Sequence, residues 1–227
     1  VDSGARFVIA LESHVSLIQS IRSGRRLEKV YYTSLMDGMI LNQDRQNNTG
    51  AVLPQDDEWL LETLRQPVLA PQPNRAQPAM PVIFQYSGGT TGTPKAAIGT
   101  HHNLVANTQQ FKSWLGGLED GKEVVLSAIP LYHVYGMVIA MSLGVASGAT
   151  LVLIPDPRDL DGILSSIEQY KATLFPGVPA MYQSIIQKHE VLSGQYRLHS
   201  IKACISGAAP LLPEVKQKFE AVTGGKL

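Results

Sequence analysis

The sequence predicts an α/β fold, a doubly wound, mostly parallel sheet with flanking helices. Two observations predict it. The chain opens on strand, helix and strand at the spacing of a βαβ unit, which requires parallel pairing. From Val124 onward, apolar strand-length runs alternate with helix-period stretches in the order β-α-β-α-β-α-β-α.

Arg6-Phe-Val-Ile-Ala-Leu11 is a continuous apolar run, expected to be a strand buried on both faces. His14 to Ser23 places Val15, Ile18 and Ile21 on one side of a short helix that Gly24 ends. Glu28-Lys-Val-Tyr-Tyr-Thr33 is the second strand. Residues 1–41 are thus expected as a βαβ segment of a large domain, and 42–81 as a proline-rich connector. Within the connector, Gln43 to Gly50 is a polar loop, and Asp56 to Arg65 is expected as one helix around Trp59, Leu60 and Leu64. Pro67, Pro71, Pro73, Pro78 and Pro81 then oppose regular structure.

Residues 82–227 are expected as a core domain. Val82 to Tyr86 is a strand, and Lys95 to Thr100 looks like its return strand. Asn103 to Leu115 has Leu104, Thr108, Phe111 and Leu115 at helical spacing. The alternating series follows. Strands are expected at Glu123–Ile129, Ala149–Ile154, Thr173–Phe175 and Ile201–Ile205. Between and after them, Gly136–Ala146 is apolar all round, the mark of a buried helix. Leu160, Ile163, Leu164 and Ile167 form one apolar stripe, Pro179 suits a first helical position with Tyr182, Ile185, Ile186 and His189 on one face, and Val215, Phe219 and Val222 align over Pro213–Val222. In such folds ligands bind at the carboxyl ends of the strands. Pro130 to Tyr135, Pro176 to Pro179 and Gly207 to Pro210 each follow a strand, so all three are expected on one rim.

Composition narrows the function. Nineteen basic and nineteen acidic residues cancel, leaving no electrostatic footprint for nucleic acid or an anionic membrane. The longest apolar stretch, Val134 to Val145, is far short of the ~20 residues of a membrane-spanning helix. The single cysteine, Cys204, excludes an intramolecular disulfide, fits a reducing, cytoplasmic setting, and sits in an apolar run where a small buried residue is expected.

The densest polar chemistry lies in Val82-Ile-Phe-Gln-Tyr-Ser-Gly-Gly-Thr-Thr-Gly-Thr-Pro-Lys-Ala96. Gly88, Gly89 and Gly92 let backbone N–H groups approach anionic oxygens. The hydroxyls of Ser87, Thr90, Thr91 and Thr93 add uncharged donors, and Lys95 after Pro94 adds a mobile cation. These residue types suit a polyphosphate. The loop is not a Walker A motif, because no Gly is followed after four residues by Gly-Lys-Ser/Thr.

Tyr86-Ser-Gly-Gly-Thr-Thr-Gly-Thr-Pro-Lys95, followed by Thr100-His-His-Asn-Leu-Val-Ala-Asn107, resembles the phosphate-loop signature of the adenylate-forming superfamily. That superfamily comprises acyl-CoA synthetases, luciferases and peptide-synthetase adenylation domains. Pro130-Leu-Tyr-His-Val-Tyr-Gly136 resembles its Pro-Leu-x-His segment, and Ser206-Gly-Ala-Ala-Pro-Leu211 its adenine-binding segment. The Tyr-Ser-Gly-Gly form is most similar to bacterial long-chain fatty-acid–CoA ligases. The likeness is strong from about Phe84 to Leu227.

The resemblance implies ATP-dependent adenylation of a fatty acid, then thioester formation with coenzyme A. By the same resemblance, Ser87 to Lys95 hold the pyrophosphate, Ser87 sits near Mg²⁺, and Gly207, Ala208, Ala209 and Pro210 line the adenine. It also puts His133 beside the acyl carboxylate as the catalytic candidate, with Tyr132, Gly177 and Val178 near the acyl chain. His101, His102, His189 and His199 lack metal-ligand spacing and are expected as surface or packing residues.

The family's Tyr-Gly-x-Thr-Glu segment with its Mg²⁺-binding Glu, its ribose-binding Asp and its catalytic Lys have no counterpart here, and Lys95-Ala96 stands where many members have Lys-Gly. A fragment that does not turn over alone is therefore expected. Apolar surface left uncovered would favour a homodimer, and the enzyme would work in the cytoplasm or peripherally at the membrane. Activation of another carboxylic acid, loading of a carrier protein, a nucleotide-binding module without ligase chemistry, and a structural domain whose loop binds nothing remain the alternatives.

Overall fold

The computed structural model describes residues 4–22, 27–34, 53–54, 56–67, 70, 75–87 and 95–227. The chain divides into two compact units, Val1–Arg75 and Ala76–Leu227. Gly24, the polar loop at 43–50, and the loop glycines and threonines at 88–94 lie outside the described residues.

In the first unit, β1 (Phe7–Leu11) leads through one 3₁₀ turn into α1 (Val15–Arg22), then β2 (Lys29–Thr33), β3 (Glu58–Trp59) and α2 (Leu60–Arg65). The sheet order is β1-β2-β3, and both pairings are parallel, with Phe7 opposite Lys29 and Tyr31 opposite Glu58. The expected βαβ unit is present. Successive strand side chains point to opposite faces. Val8 and Ala10 accordingly pack with Ile18, Val30 and Tyr32, while Phe7 and Ile9 stand 55% and 64% exposed. Within this unit β1 is therefore covered on one face, not on both as its apolar run suggested. The helix expected from Asp56 starts only at Leu60, because Glu58 and Trp59 pair with β2. Arg22 anchors this join. Its guanidinium donates to the buried Asp57 carboxylate at 2.8 Å.

The second unit begins with a two-stranded antiparallel ribbon of β4 (Pro81–Ser87) and β5 (Lys95–Thr100), with Ser87 opposite Lys95. The return strand is as expected, and the ribbon is a sheet of its own. Its last residue caps α3 (His101–Trp114). The Thr100 side chain accepts from the Asn103 amide while Asn103 reaches back to the Thr100 amide, satisfying two otherwise unpaired donors.

The alternating series then follows as β6 (Val124–Ser127), a π-helix (Gly136–Ser142) running into α4 (Leu143–Ala146), β7 (Thr150–Leu153) and α5 (Leu160–Tyr170). It continues with β8 (Leu174–Gly177), α6 (Pro179–Gln187), α7 (His189–Leu192), β9 (Ala203–Ser206) and α8 (Pro213–Thr223). The four strands are parallel in the order β7-β6-β8-β9. Leu126 and Phe175 pack with Ile163, Leu164 and Ile167 of α5, Ile185 of α6 and Phe219 of α8. Val125 and Leu174 pack with Ala140 of the π-helix. Helices thus cover both faces, which is the doubly wound arrangement the sequence predicts. Tyr182 meets Phe175 and Phe219 edge-on, with ring centroids 5.6 and 4.9 Å apart. Burying rings like these contributes about 1.5–3 kcal/mol each. Two local details differ from the expectation. The all-apolar helix opens on a π turn, and His189 begins a separate short helix instead of extending the α6 face.

Candidate functional site

The β6–β7 connection runs on the π-helix side of the sheet, whereas α5 after β7 and α6 after β8 both pack on the other. Neighbouring strands β6 and β8 therefore send their connections to opposite faces, which opens a crevice at their carboxyl ends. The three expected segments meet along this rim. The Gly207 amide after β9 donates to the Gly177 carbonyl at the end of β8, 3.2 Å away. Tyr135, from the segment after β6, places its hydroxyl 2.5 Å from the Ile205 carbonyl and 3.0 Å from that of Gly177. With one proton to give, it makes its short bond to Ile205. Burial pushes the Tyr135 phenol well above its ordinary range, so it stays a protonated donor. From beneath, the Tyr182 hydroxyl lies 2.8 Å from the Phe175 carbonyl and 2.9 Å from that of Ile205.

Two backbone features shape the corner. A Cβ on Gly207 would lie 2.8 Å from Cζ of Tyr135, so a side chain there would strike the ring. Ala208 has φ +68°, a left-handed backbone that costs an ordinary residue about 1–2 kcal/mol and is held only where the surroundings enforce it. Ala208, Ala209 and Pro210 are exposed and open to a ligand.

The segment after β6 is a tight arch. The His133 amide donates to the Pro130 carbonyl at 3.2 Å, and the Met137 amide to the His133 carbonyl at 2.9 Å. The Tyr135 amide donates to Nδ1 of His133 at 3.1 Å. Nδ1 is thereby an acceptor, which leaves Nε2 as the ring's donor. Tyr132 and His133 are both exposed at the rim, Tyr132 by 84%. Gly177 is buried and Val178 half-buried, so Val178 offers a wall and Gly177 a backbone carbonyl. On the α5 and α6 side of the crevice lies a groove of about 440 Å³, walled by Ile129, Pro130, Leu160, Val178 and Met181 with Arg158 at its edge.

The expected phosphate loop at 88–94 and the Ser87 side chain lie outside the described residues. Lys95 is exposed at the start of β5. The base of the ribbon is described. Ile83 packs on the cluster of Met137, Val138 and Ile139 that also receives Tyr135 and Ile205. Cys204 is buried, and burial pushes its thiol far up, so it is a packing residue. Among the described residues no three His, Cys, Asp or Glu side chains gather as a metal site. No helix among them is long and apolar enough to cross a membrane. Sequence reasoning passed over Tyr135. Its signal was an aromatic residue with a polar tip directly before a glycine at a strand end.

Comparisons with known proteins agree on the family and the fold. The sequence profile of the family described as AMP-binding enzyme matches residues 1–227. A long-chain-fatty-acid–CoA ligase of Bacillus subtilis is 44% identical over 147 residues, which is 64% of this chain and 25% of that protein. A ligase of the same name from Yersinia pestis is 31% identical over 146 residues, 64% of this chain and 26% of its own length. The matched segment thus spans about a quarter of the length of these relatives. Among solved structures, the anthranilate CoA ligase AuaEII in complex with anthranoyl-AMP superposes with a TM-score of 0.78 at 21% identity, over 99% of this chain and 40% of that one. The long-chain-fatty-acid-CoA ligase FadD1 of Archaeoglobus fulgidus does so with 0.71 at 20%, over 99% and 41%. At such identities the likeness is one of fold.

Proposed function

The chain belongs to the AMP-binding enzyme family, and from that premise we propose that it carries nucleotide- and acyl-binding elements of a long-chain fatty-acid–CoA ligase. Residues 82–227 are its AMP-binding core. The observation that carries the reading is the convergence of the segments after β6, β8 and β9 on one rim, tied through the Tyr135 hydroxyl and the Gly177 carbonyl. The sequence likeness to fatty-acid–CoA ligases supports a fatty acid as the substrate class.

In this reaction a fatty carboxylate oxygen attacks the α-phosphorus of ATP. The bond to pyrophosphate breaks, and acyl-adenylate forms. The coenzyme A sulfur then bonds to the acyl carbon, the bond to the AMP oxygen breaks, and the thiol proton leaves to solvent or a base. In the first step one anion approaches another, so fixed donors must take up charge on the leaving pyrophosphate. Ser87 to Lys95 supply them in this reading. The turn at Gly207 to Pro210, exposed from Ala208 onward, receives the adenine. His133 offers its Nε2–H donor to the carboxylate in this reading, and Tyr132, Gly177 and Val178 border the acyl chain. Ser87 is the residue that would stand near Mg²⁺ in this reading, and the ion when bound would offset charge on the phosphates. The enzyme works on fatty acid, ATP and coenzyme A in the cytoplasm.

The test is calorimetric titration with non-hydrolysable acyl-sulfamoyl adenosines bearing palmitoyl, acetyl or coumaroyl arms, with AMP alongside. Tightest binding of the palmitoyl compound supports the reading. Preference for the coumaroyl or acetyl arm would assign another acid. Equal affinity for all of them and AMP would leave a nucleotide-binding module.

A further inference from the structure

We infer that Tyr135 is a positioning residue for the nucleotide, holding the Ile205–Ala208 turn in the strained form that meets the adenine. The inference rests on the reading that Gly207 to Pro210 receive the adenine, and it adds a residue that does not touch it. Four observations converge on this side chain. Its hydroxyl lies 2.5 Å from the Ile205 carbonyl, two residues before Gly207. The same hydroxyl lies 3.0 Å from the Gly177 carbonyl, which also accepts from the Gly207 amide at 3.2 Å. Its ring fills the space where a Gly207 Cβ would sit, 2.8 Å from Cζ. The residue after Gly207 is Ala208, whose φ of +68° needs support from its surroundings.

One phenol therefore fixes the turn from two directions. The hydroxyl anchors the strand end before it, and the ring sets the height of the glycine within it. Tyr135 is itself placed by the arch after β6, because it is the residue from which the π-helix starts. π turns of this kind recur at functional sites, where they direct a side chain that a regular helix would carry elsewhere. The phenol thereby couples the His133 arch to the adenine turn.

The experiment uses the full-length protein, with kinetics on palmitate, ATP and coenzyme A and titration with AMP. Tyr135→Phe keeps the ring and removes the hydroxyl. The expected result is a rise of about three- to tenfold in the KM for ATP and in the Kd for AMP, the size of one lost hydrogen bond. The KM values for palmitate and coenzyme A stay within about twofold. A merely structural role would lower the melting temperature and leave the KM for ATP in place, and that outcome overturns the inference, as does an equal rise in all three KM values. A second pair tests the ring without relying on Tyr135→Phe. Gly207→Ala should lose AMP affinity by more than about tenfold, and adding Tyr135→Leu should restore at least part of it by clearing room for the Cβ. No restoration overturns the ring's role. A wild-type protein that binds neither AMP nor the palmitoyl-adenylate mimic overturns the functional reading and this inference with it. Binding by wild type with unchanged Tyr135→Phe affinity overturns this inference alone.

Discussion

Lys202, just before β9, donates to the buried carboxylate of Glu123, just before β6, at 3.0 Å, across the intervening strand β8. The same carboxylate oxygen accepts from the Glu119 amide at 2.8 Å. This clamp closes the amino ends of the strands, opposite the candidate site. Burial alone would raise the Glu123 carboxyl, but the Glu119 amide, Thr173 and Lys202 outweigh it, and its pKa lies below the ordinary carboxylate range. A carboxyl depressed on folding contributes stability that is present above its unfolded pKa and lost as pH falls through the folded value. Thermal melts of the wild type should therefore lose stability on acidification through and below the ordinary carboxylate range. Lys202→Met should destabilise at neutral pH by about 1–2 kcal/mol, a modest figure because the ammonium is half in water. It should also flatten the acid dependence. An unchanged acid dependence would mean that Glu123 is not held by this contact.

Gly136 begins the π turn, and a Cβ there would press into the Pro130 carbonyl that the His133 amide uses. Backbone cannot yield as a flexible side chain can. Gly136→Ala should displace the arch, lowering the melting temperature by several degrees, the effect of about 1–3 kcal/mol of strain. Binding of the acyl-adenylate mimic should weaken in parallel. A variant that melts and binds like wild type would show that the arch tolerates the methyl group.

Ala208 stands left-handed at the corner after β9. Ala208→Gly should stabilise the fold by up to about 1 kcal/mol in urea denaturation, because glycine pays no Cβ penalty there, although its freer unfolded chain offsets part of the gain. Ala208→Val should destabilise, since a β-branched residue fits this region worst. If the strain serves ligand binding, Ala208→Gly will be more stable yet bind AMP more weakly.

The core of this fold was legible because its determinants are local. Ile163, Leu164 and Ile167 repeat at helical spacing, and they are fully buried. Pro179 begins α6 as its fixed φ favours. What escaped was set by distant partners. The pairing of Glu58 and Trp59 with β2 is too short to leave a period, and the exposure of Phe7 and Ile9 depends on which face of β1 finds a neighbour. The rim segments were legible as strand ends followed by Gly and Pro. The bonds from the Tyr135 hydroxyl to Ile205 and Gly177 join residues far apart in sequence, so no spacing announces them.

His133 offers the cleanest separation of stability from chemistry. Its side chain is exposed, and its bond from the Tyr135 amide at 3.1 Å is local. His133→Ala should therefore leave the melting temperature within about two degrees, as for most surface changes. Removing a neutral donor aimed at developing charge costs on the order of 10²–10³ in rate in other enzymes. Adenylation by the full-length enzyme, followed as pyrophosphate release, should slow by about a hundredfold. His133→Asn should recover part of that loss if the donor is what matters. The tautomer can be read directly, because nitrogen-15 correlation spectra of the neutral ring should show the proton on Nε2. A proton on Nδ1, or an adenylation rate that falls only as far as stability does, would remove His133 from the reaction.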